Sequence, residues 1–129
     1  MIVLDTHVLL WLAGEPAKLS KDARQAIEQG YQHGGVGISA ITLWEVAWLV
    51  THRRIHVSGT PGDFVEALAS RVSVRPITPK IAVLANLFPA AYSADPCDRL
   101  IGATALAEHA ALVTKDRSLR ASHDIQTIW

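Results

Sequence analysis

Short apolar runs alternating with amphipathic stretches predict an α/β fold, a single α/β/α domain with a mainly parallel five-stranded sheet flanked by helices. Three observations carry that expectation. Segments 2–4, 36–39, 72–77, 111–114 and 125–128 are short and apolar, and the stretches between them run at helical period. Thr60-Pro61, Thr78-Pro79 and Asp95-Pro96 each place a capping residue before a proline suited to the first helical position. The chain has 129 residues and shows no repeat, low-complexity tract or linker, so residues 1–129 are expected to form one domain around one core.

The elements follow in order. After the strand 2–4, Thr6 can cap a brief helix over 7–13 that Gly14 and Pro16 end. Ser20 opens a second helix through Ala23, Ala26 and Ile27, running to Gly34-Gly35 and the strand 36–39. The most apolar helix runs from 40 to about 52, with Leu43, Val46, Ala47 and Val50 on one stripe and Ile41, Glu45, Trp48 and Leu49 on another. A helix apolar on two sides is either deeply buried or faces both its own core and a partner, which leaves Trp44 and Trp48 between core packing and a subunit contact. Helices opened by Thr60 and Thr78 flank the strand 72–77. A last helix over 96–109 leads into the strand 111–114, and 125–128 completes the sheet.

Composition removes several classes of function. Half of the residues are hydrophobic, which excludes a disordered chain, yet no run approaches the ~20 apolar residues of a membrane span. The start, Met1-Ile2-Val3-Leu4-Asp5, lacks the basic leader of a signal peptide, so a cytoplasmic location is expected. Cys97 is the only cysteine, which leaves neither an intrachain disulfide nor a thiolate zinc site. His52 and His56 have helical spacing, but Arg53, Arg54 and two β-branched neighbours place them where the helix ends. Twelve basic residues balance twelve acidic ones, so any nucleic-acid contact must be local, at Arg53 and Arg54 or at Lys115, Arg117 and Arg120. Each patch reads equally well as a solvated surface.

Four acids stand out. Asp5 and Asp116 fall at the carboxyl edge of the expected sheet, where open α/β folds bind their ligands. Glu45 has Ile41, Trp48 and Leu49 as helical neighbours, and Asp98 has Ile101, Gly102 and Ala105. Each has an ordinary explanation: a cap for Asp5, a solvated helix face for Glu45, a turn for Asp116, a favourable first-turn charge for Asp98. Together, four convergent carboxylates without Cys or His partners suit an oxygen-seeking Mg²⁺ or Mn²⁺ rather than zinc. Such ions activate water and neutralise a phosphoryl group, so phosphodiester hydrolysis is the implied reaction. No phosphate-cradling glycine loop, G-x-S-x-G elbow or HExxH motif offers another chemistry.

Four blocks in order, Ile-Val-Leu-Asp5-Thr-His, Ser39-Ala-Ile-Thr-Leu-Trp-Glu45, Asp95-Pro-Cys-Asp98-Arg-Leu-Ile-Gly-Ala-Thr-Ala and Leu-Val-Thr114-Lys-Asp116, resemble the PIN domain, and most of all the VapC-type toxins of toxin–antitoxin pairs. The resemblance spans the whole chain. It implies a Rossmann-like fold and a Mg²⁺- or Mn²⁺-dependent endoribonuclease with Asp5, Glu45, Asp98 and Asp116 as catalytic, metal-binding residues. Thr6, Ser39 and Thr114 match polar positions beside the acids, and Arg99, Lys115 and Arg117 are the basic groups near enough to hold RNA. A cognate antitoxin, and a homodimer or toxin–antitoxin hetero-oligomer, are implied as well. Asp95, three residues before Asp98, competes with it for the same role.

Two other readings remain. A haloacid-dehalogenase-type phosphatase also begins with a strand ending in Asp, but it needs a second Asp two residues on, where this chain has His7. A catalytically silent PIN-like scaffold that binds RNA or protein would be marked by loss of acids, and all four are present.

Overall fold

A computed structural model describes residues 1–129. The strands are β1 (Ile2–Leu4), β2 (Val36–Ser39), β3 (Ser73–Arg75), β4 (Ala111–Val113) and β5 (Thr127–Ile128), and they form one sheet in the order β3-β2-β1-β4-β5. Every pairing is parallel. The first strand is therefore central, and the chain runs outward from it first to one side and then to the other. That reversal leaves a crevice at the carboxyl ends of β1 and β4.

The helices are α1 (Thr6–Gly14), α2 (Lys21–Gln29), α3 (Ala40–Thr51), α4 (Pro61–Ala69), α5 (Pro79–Leu87), α6 (Pro96–Ala107) and α7 (Arg117–Arg120). Alternation along the strands divides the expected single core into two layers. Val3 and Leu112 point to one face, among Ile81, Phe88, Ile101 and Leu119. Leu4 and Val113 point to the other, among Leu9, Ile27, Val46 and Leu68. Ser20, Thr60, Thr78 and Asp95 cap their helices as expected, each accepting a backbone N–H.

Several boundaries differ from expectation, among them β5, confined to Thr127–Ile128 of the expected 125–128, and α6, which ends at Ala107 and not at 109. Asp5, not Thr6, is the cap of α1, because Thr6 already lies in the helix and its N–H is bound by the Asp5 carboxylate. β3 stops at Arg75, since Pro76 cannot supply the next ladder donor. The helix opened by Ser20 ends at Gln29 and passes into a π-helical turn, Gly30–Gly34, where a side chain on Gly30 would meet Val36 Cγ2 at 2.9 Å. The four-residue α7 has no counterpart in the sequence reading.

Candidate active site

The four acids reach one cleft of about 330 Å³, whose walls are Asp5, His7, Trp11, Glu45, Asp95, Asp98, Lys115 and Asp116. Asp5 leaves β1 at the crevice and is 6% exposed. Both of its oxygens are fixed: Oδ1 accepts the Thr6 N–H at 2.7 Å and Oδ2 accepts the Thr114 hydroxyl at 2.7 Å. Its backbone N–H donates to Val113 O at 3.0 Å, which extends the β1–β4 pairing up to the acid. Burial raises its pKa above the ordinary 3.8 despite these two donors.

Glu45 projects from α3 towards α1. The Thr6 hydroxyl donates to its Oε1 at 2.6 Å, and a further hydrogen bond joins Thr6 Oγ1 to Thr42 Oγ1 at 3.1 Å. Burial raises the Glu45 pKa, and the charges of Asp5 and Asp95 add to the effect. Asp98, in the first turn of α6, accepts the Ser93 hydroxyl on Oδ2 at 2.9 Å. Burial pushes it up to about 6, with Asp95, Asp5 and Asp116 contributing repulsion. Asp95 lines the same cleft, but its Oδ1 is the cap of α6, accepting the Cys97 N–H at 2.8 Å.

Asp116 behaves differently. It caps α7, and its Oδ1 accepts the Ser118 N–H at 2.8 Å, the Ser118 hydroxyl at 2.6 Å and the Leu119 N–H at 3.2 Å. Its slight burial acts upward, yet these donors hold its pKa below the ordinary value. Thr114 links the two acids of the sheet edge, since its hydroxyl oxygen also accepts the Asp116 N–H at 3.0 Å.

Three of the acids share one arrangement. Glu45, Asp98 and Asp116 each have one carboxylate oxygen hydrogen-bonded to protein and the other without a protein donor. Neither of the two ion pairs in the chain, Lys18–Glu15 and Arg75–Glu108, involves the cleft. No three of these side chains are drawn into a ready-made metal cage. The donor set nevertheless suits Mg²⁺ or Mn²⁺: all ligands are hard oxygens, and Mg²⁺ keeps several of its waters and takes only one or two carboxylates directly.

Some expected contributors stand elsewhere. Ser39 is fully buried, but its hydroxyl caps α3 through the Ile41 N–H at 3.3 Å and hydrogen-bonds none of the acids. Arg99 is not free to hold RNA. Its guanidinium is committed to four backbone carbonyls, Ser93 at 2.6 Å, Phe88 at 3.0 Å, and Ala85 and Pro89 at 3.2 Å, because the turn between α5 and α6 leaves those oxygens without helical donors. Lys115 does line the cleft, whereas Arg117 is exposed on α7 outside it. His7, Trp11 and Ser93 were missed by sequence reasoning. For His7 the signal was available, two residues past Asp5 on the helix it caps.

Trp44 and Trp48 are 58% and 38% exposed, so α3 does present its second stripe to solvent. With Ile41, Leu49, Pro96 and Cys97 they form an apolar shelf that reaches Glu45 and Asp95. Burial, with the nearby acids, pushes the Cys97 thiol up to about 12, which keeps it protonated and unreactive.

The family model described as the PIN domain matches residues 2–122. The chain is 38% identical over 130 residues to Ribonuclease VapC22 of Mycobacterium tuberculosis (strain ATCC 25618 / H37Rv), an alignment covering 99% of this chain and 98% of that protein. Among solved structures it shares the fold of VapBC-1 from nontypeable Haemophilus influenzae, with a TM-score of 0.75 at 20% identity over 98% of this chain and 96% of that one. DNA-bound VapBC from Salmonella typhimurium is similar with a TM-score of 0.72 at 19% identity, covering 98% and 97%.

Proposed function

Because the chain belongs to the PIN domain family, we propose that it is a Mg²⁺- or Mn²⁺-dependent endoribonuclease, acting in the cytoplasm as the toxin of a toxin–antitoxin pair. Asp5, Glu45, Asp98 and Asp116 are its catalytic, metal-holding carboxylates. The observation that carries this reading is the cleft itself: acids from four chain segments meet at the crevice of the sheet, with no ion-pair partner and with an unengaged oxygen on three of them. The 38% identity to a ribonuclease supports the reaction, and likeness to toxin–antitoxin complexes supports the partner.

A bound divalent ion supplies water activation and neutralises charge on the phosphoryl group. The chain supplies orientation. Thr6 and Thr114 fix the two oxygens of Asp5, Thr6 also turns Glu45, and Ser93 turns Asp98, so each carboxylate is held before substrate arrives. These three hydroxyl residues are positioning groups. Lys115 stands on the cleft wall, where it meets the phosphate backbone of a strand entering the site, with Arg117 two residues further along the chain.

The reading is tested with a single-stranded RNA and its DNA counterpart, using protein stripped of metal and then given Mg²⁺, Mn²⁺ or Zn²⁺. RNA cleavage restored by the first two, with no advantage from Zn²⁺, is the expected result. Cleavage persisting in excess EDTA would defeat the metal mechanism, and equal cleavage of DNA would defeat the ribonuclease assignment. The shelf of Trp44 and Trp48 is the surface for the antitoxin or a second copy, so Trp48→Glu should lower the complex mass seen by light scattering.

A further inference from the structure

The acid cleft has a neighbour. His7 and Trp11 line both the cleft and a second depression of about 460 Å³, which continues along α1 past Lys18 and across to Arg54 and His56. The two depressions are thus neighbours that share a wall at His7 and Trp11. The volume of the second lies in the roughly 300–1,000 Å³ range of small-ligand sites.

The chemistry changes sign at that wall. On the cleft side, Lys115 Nζ sits 5.8 Å from the Trp11 ring centroid; on the groove side, Lys18 Nζ sits 5.9 Å from it. The groove's single acid, Glu15, is already paired with Lys18 at 3.0 Å, which leaves Arg54 uncompensated there. Leu10, Leu49, Ile55 and Phe64 give it an apolar floor. A cationic track beside an aromatic face is how proteins hold single strands, with backbone phosphates on the cations and bases on the ring. The indole is half-buried and braced by Trp129 at 5.7 Å and His7 at 6.0 Å, so its orientation is set before any ligand arrives.

We propose that this groove is the nucleotide subsite next to the scissile phosphate: Trp11 stacks on the neighbouring base, and Arg54 carries a following phosphate. This rests on the ribonuclease reading for the position of the scissile phosphate. It explains how a chain of zero net charge holds a polyanion.

Binding rather than turnover tests it, in the Asp98→Asn background with Mg²⁺, by fluorescence anisotropy of a short single-stranded RNA. Trp11→Leu, which preserves apolar packing, should weaken binding about tenfold, within the range of one lost base stack. Trp11→Phe should recover part of the loss. A series of RNAs with one abasic nucleotide moved along the strand then forms a double-mutant cycle with Trp11→Leu. At one position the two losses should be non-additive, because both remove the same stack. Arg54→Ala should reduce the salt slope of log affinity by about 0.7.

Additivity at every abasic position would overturn the stacking role. An unchanged salt slope in Arg54→Ala would overturn the groove as an RNA path, and a loss confined to antitoxin binding would assign it to a polypeptide instead. If the unmutated protein binds RNA with this pattern but does not cleave it, the ribonuclease reading falls while the groove stands.

Discussion

Thr6 holds Glu45 by a 2.6 Å hydrogen bond from its hydroxyl, while its backbone N–H, the other end of the same residue, holds Asp5 at 2.7 Å. One residue in the first turn of α1 therefore sets two acids from different elements against each other. Thr6→Val keeps the shape and removes the hydroxyl. It should cost about 1.5–3 kcal/mol in urea unfolding, the usual size for a bond to a charged group. It should also raise the Glu45 pKa further, since the Thr6 donor acts to lower it. Carboxyl NMR titration reads the shift, and an unmoved Glu45 resonance would contradict the assigned role.

Asp5, Glu45 and Asp98 all have raised pKa values, from burial first and then from nearby acids: Asp116 for Asp5, Asp5 and Asp95 for Glu45, and Asp95, Asp5 and Asp116 for Asp98. A carboxyl that binds its proton more tightly when folded favours the native state at low pH, and that contribution is lost as pH rises through the folded value. For Asp98 the loss spans the interval from its ordinary 3.8 to about 6. Metal-free protein should therefore melt higher near pH 5 than near pH 7.5. Asp98→Asn should flatten that profile and keep or raise the melting temperature at neutral pH, while reducing RNA cleavage at least about 100-fold. A variant that unfolds in step with its lost activity would point to a structural acid.

Mg²⁺ or Mn²⁺ should raise the melting temperature at pH 7.5. At a concentration about 100 times the dissociation constant, mass action gives roughly 2.7 kcal/mol. The gain should shrink near pH 5, where protons compete for the carboxylates, and should vanish with EDTA. Equal stabilisation of unmutated protein and Asp5→Asn would place the ion elsewhere.

The Tyr92 hydroxyl is buried without a hydrogen-bond partner and lies over Gly102 of α6. A Cβ on Gly102 would overlap that oxygen and fall 2.9 Å from Cζ. Gly102→Ala should therefore cost more than the ~1 kcal/mol that alanine's helix propensity would return. Tyr92→Phe should be nearly neutral alone, because it deletes an unsatisfied group, and should relieve part of the Gly102→Ala penalty. Additive effects in chemical denaturation would deny the contact.

The central features were legible because they rest on local rules. Ser20, Thr60, Thr78 and Asp95 announced their helices, and the short apolar runs announced every strand. The four acids were visible as charges among apolar neighbours or at strand ends. What failed depended on partners distant in sequence or without side-chain identity. Arg99 looks like a free cation beside an acid, and nothing in the sequence marks the turn carbonyls that occupy it. Trp11 reads as another apolar position on α1, and only the fold brings Lys18 and Lys115 to it. α7 is too short for periodicity, though Asp116 two residues before Ser118 was a capping signal.

The central place of β1 has a consequence in time. Asp5 belongs to the first strand synthesised, but its β4 neighbour, the Thr114 that fixes its second oxygen, and Asp116 come from the last fifth of the chain. During translation one edge of β1 stays open, and the acid cleft lacks a wall, until those late residues emerge. Until then Asp5 lacks the hydroxyl that fixes its second oxygen, and the cleft lacks its fourth acid.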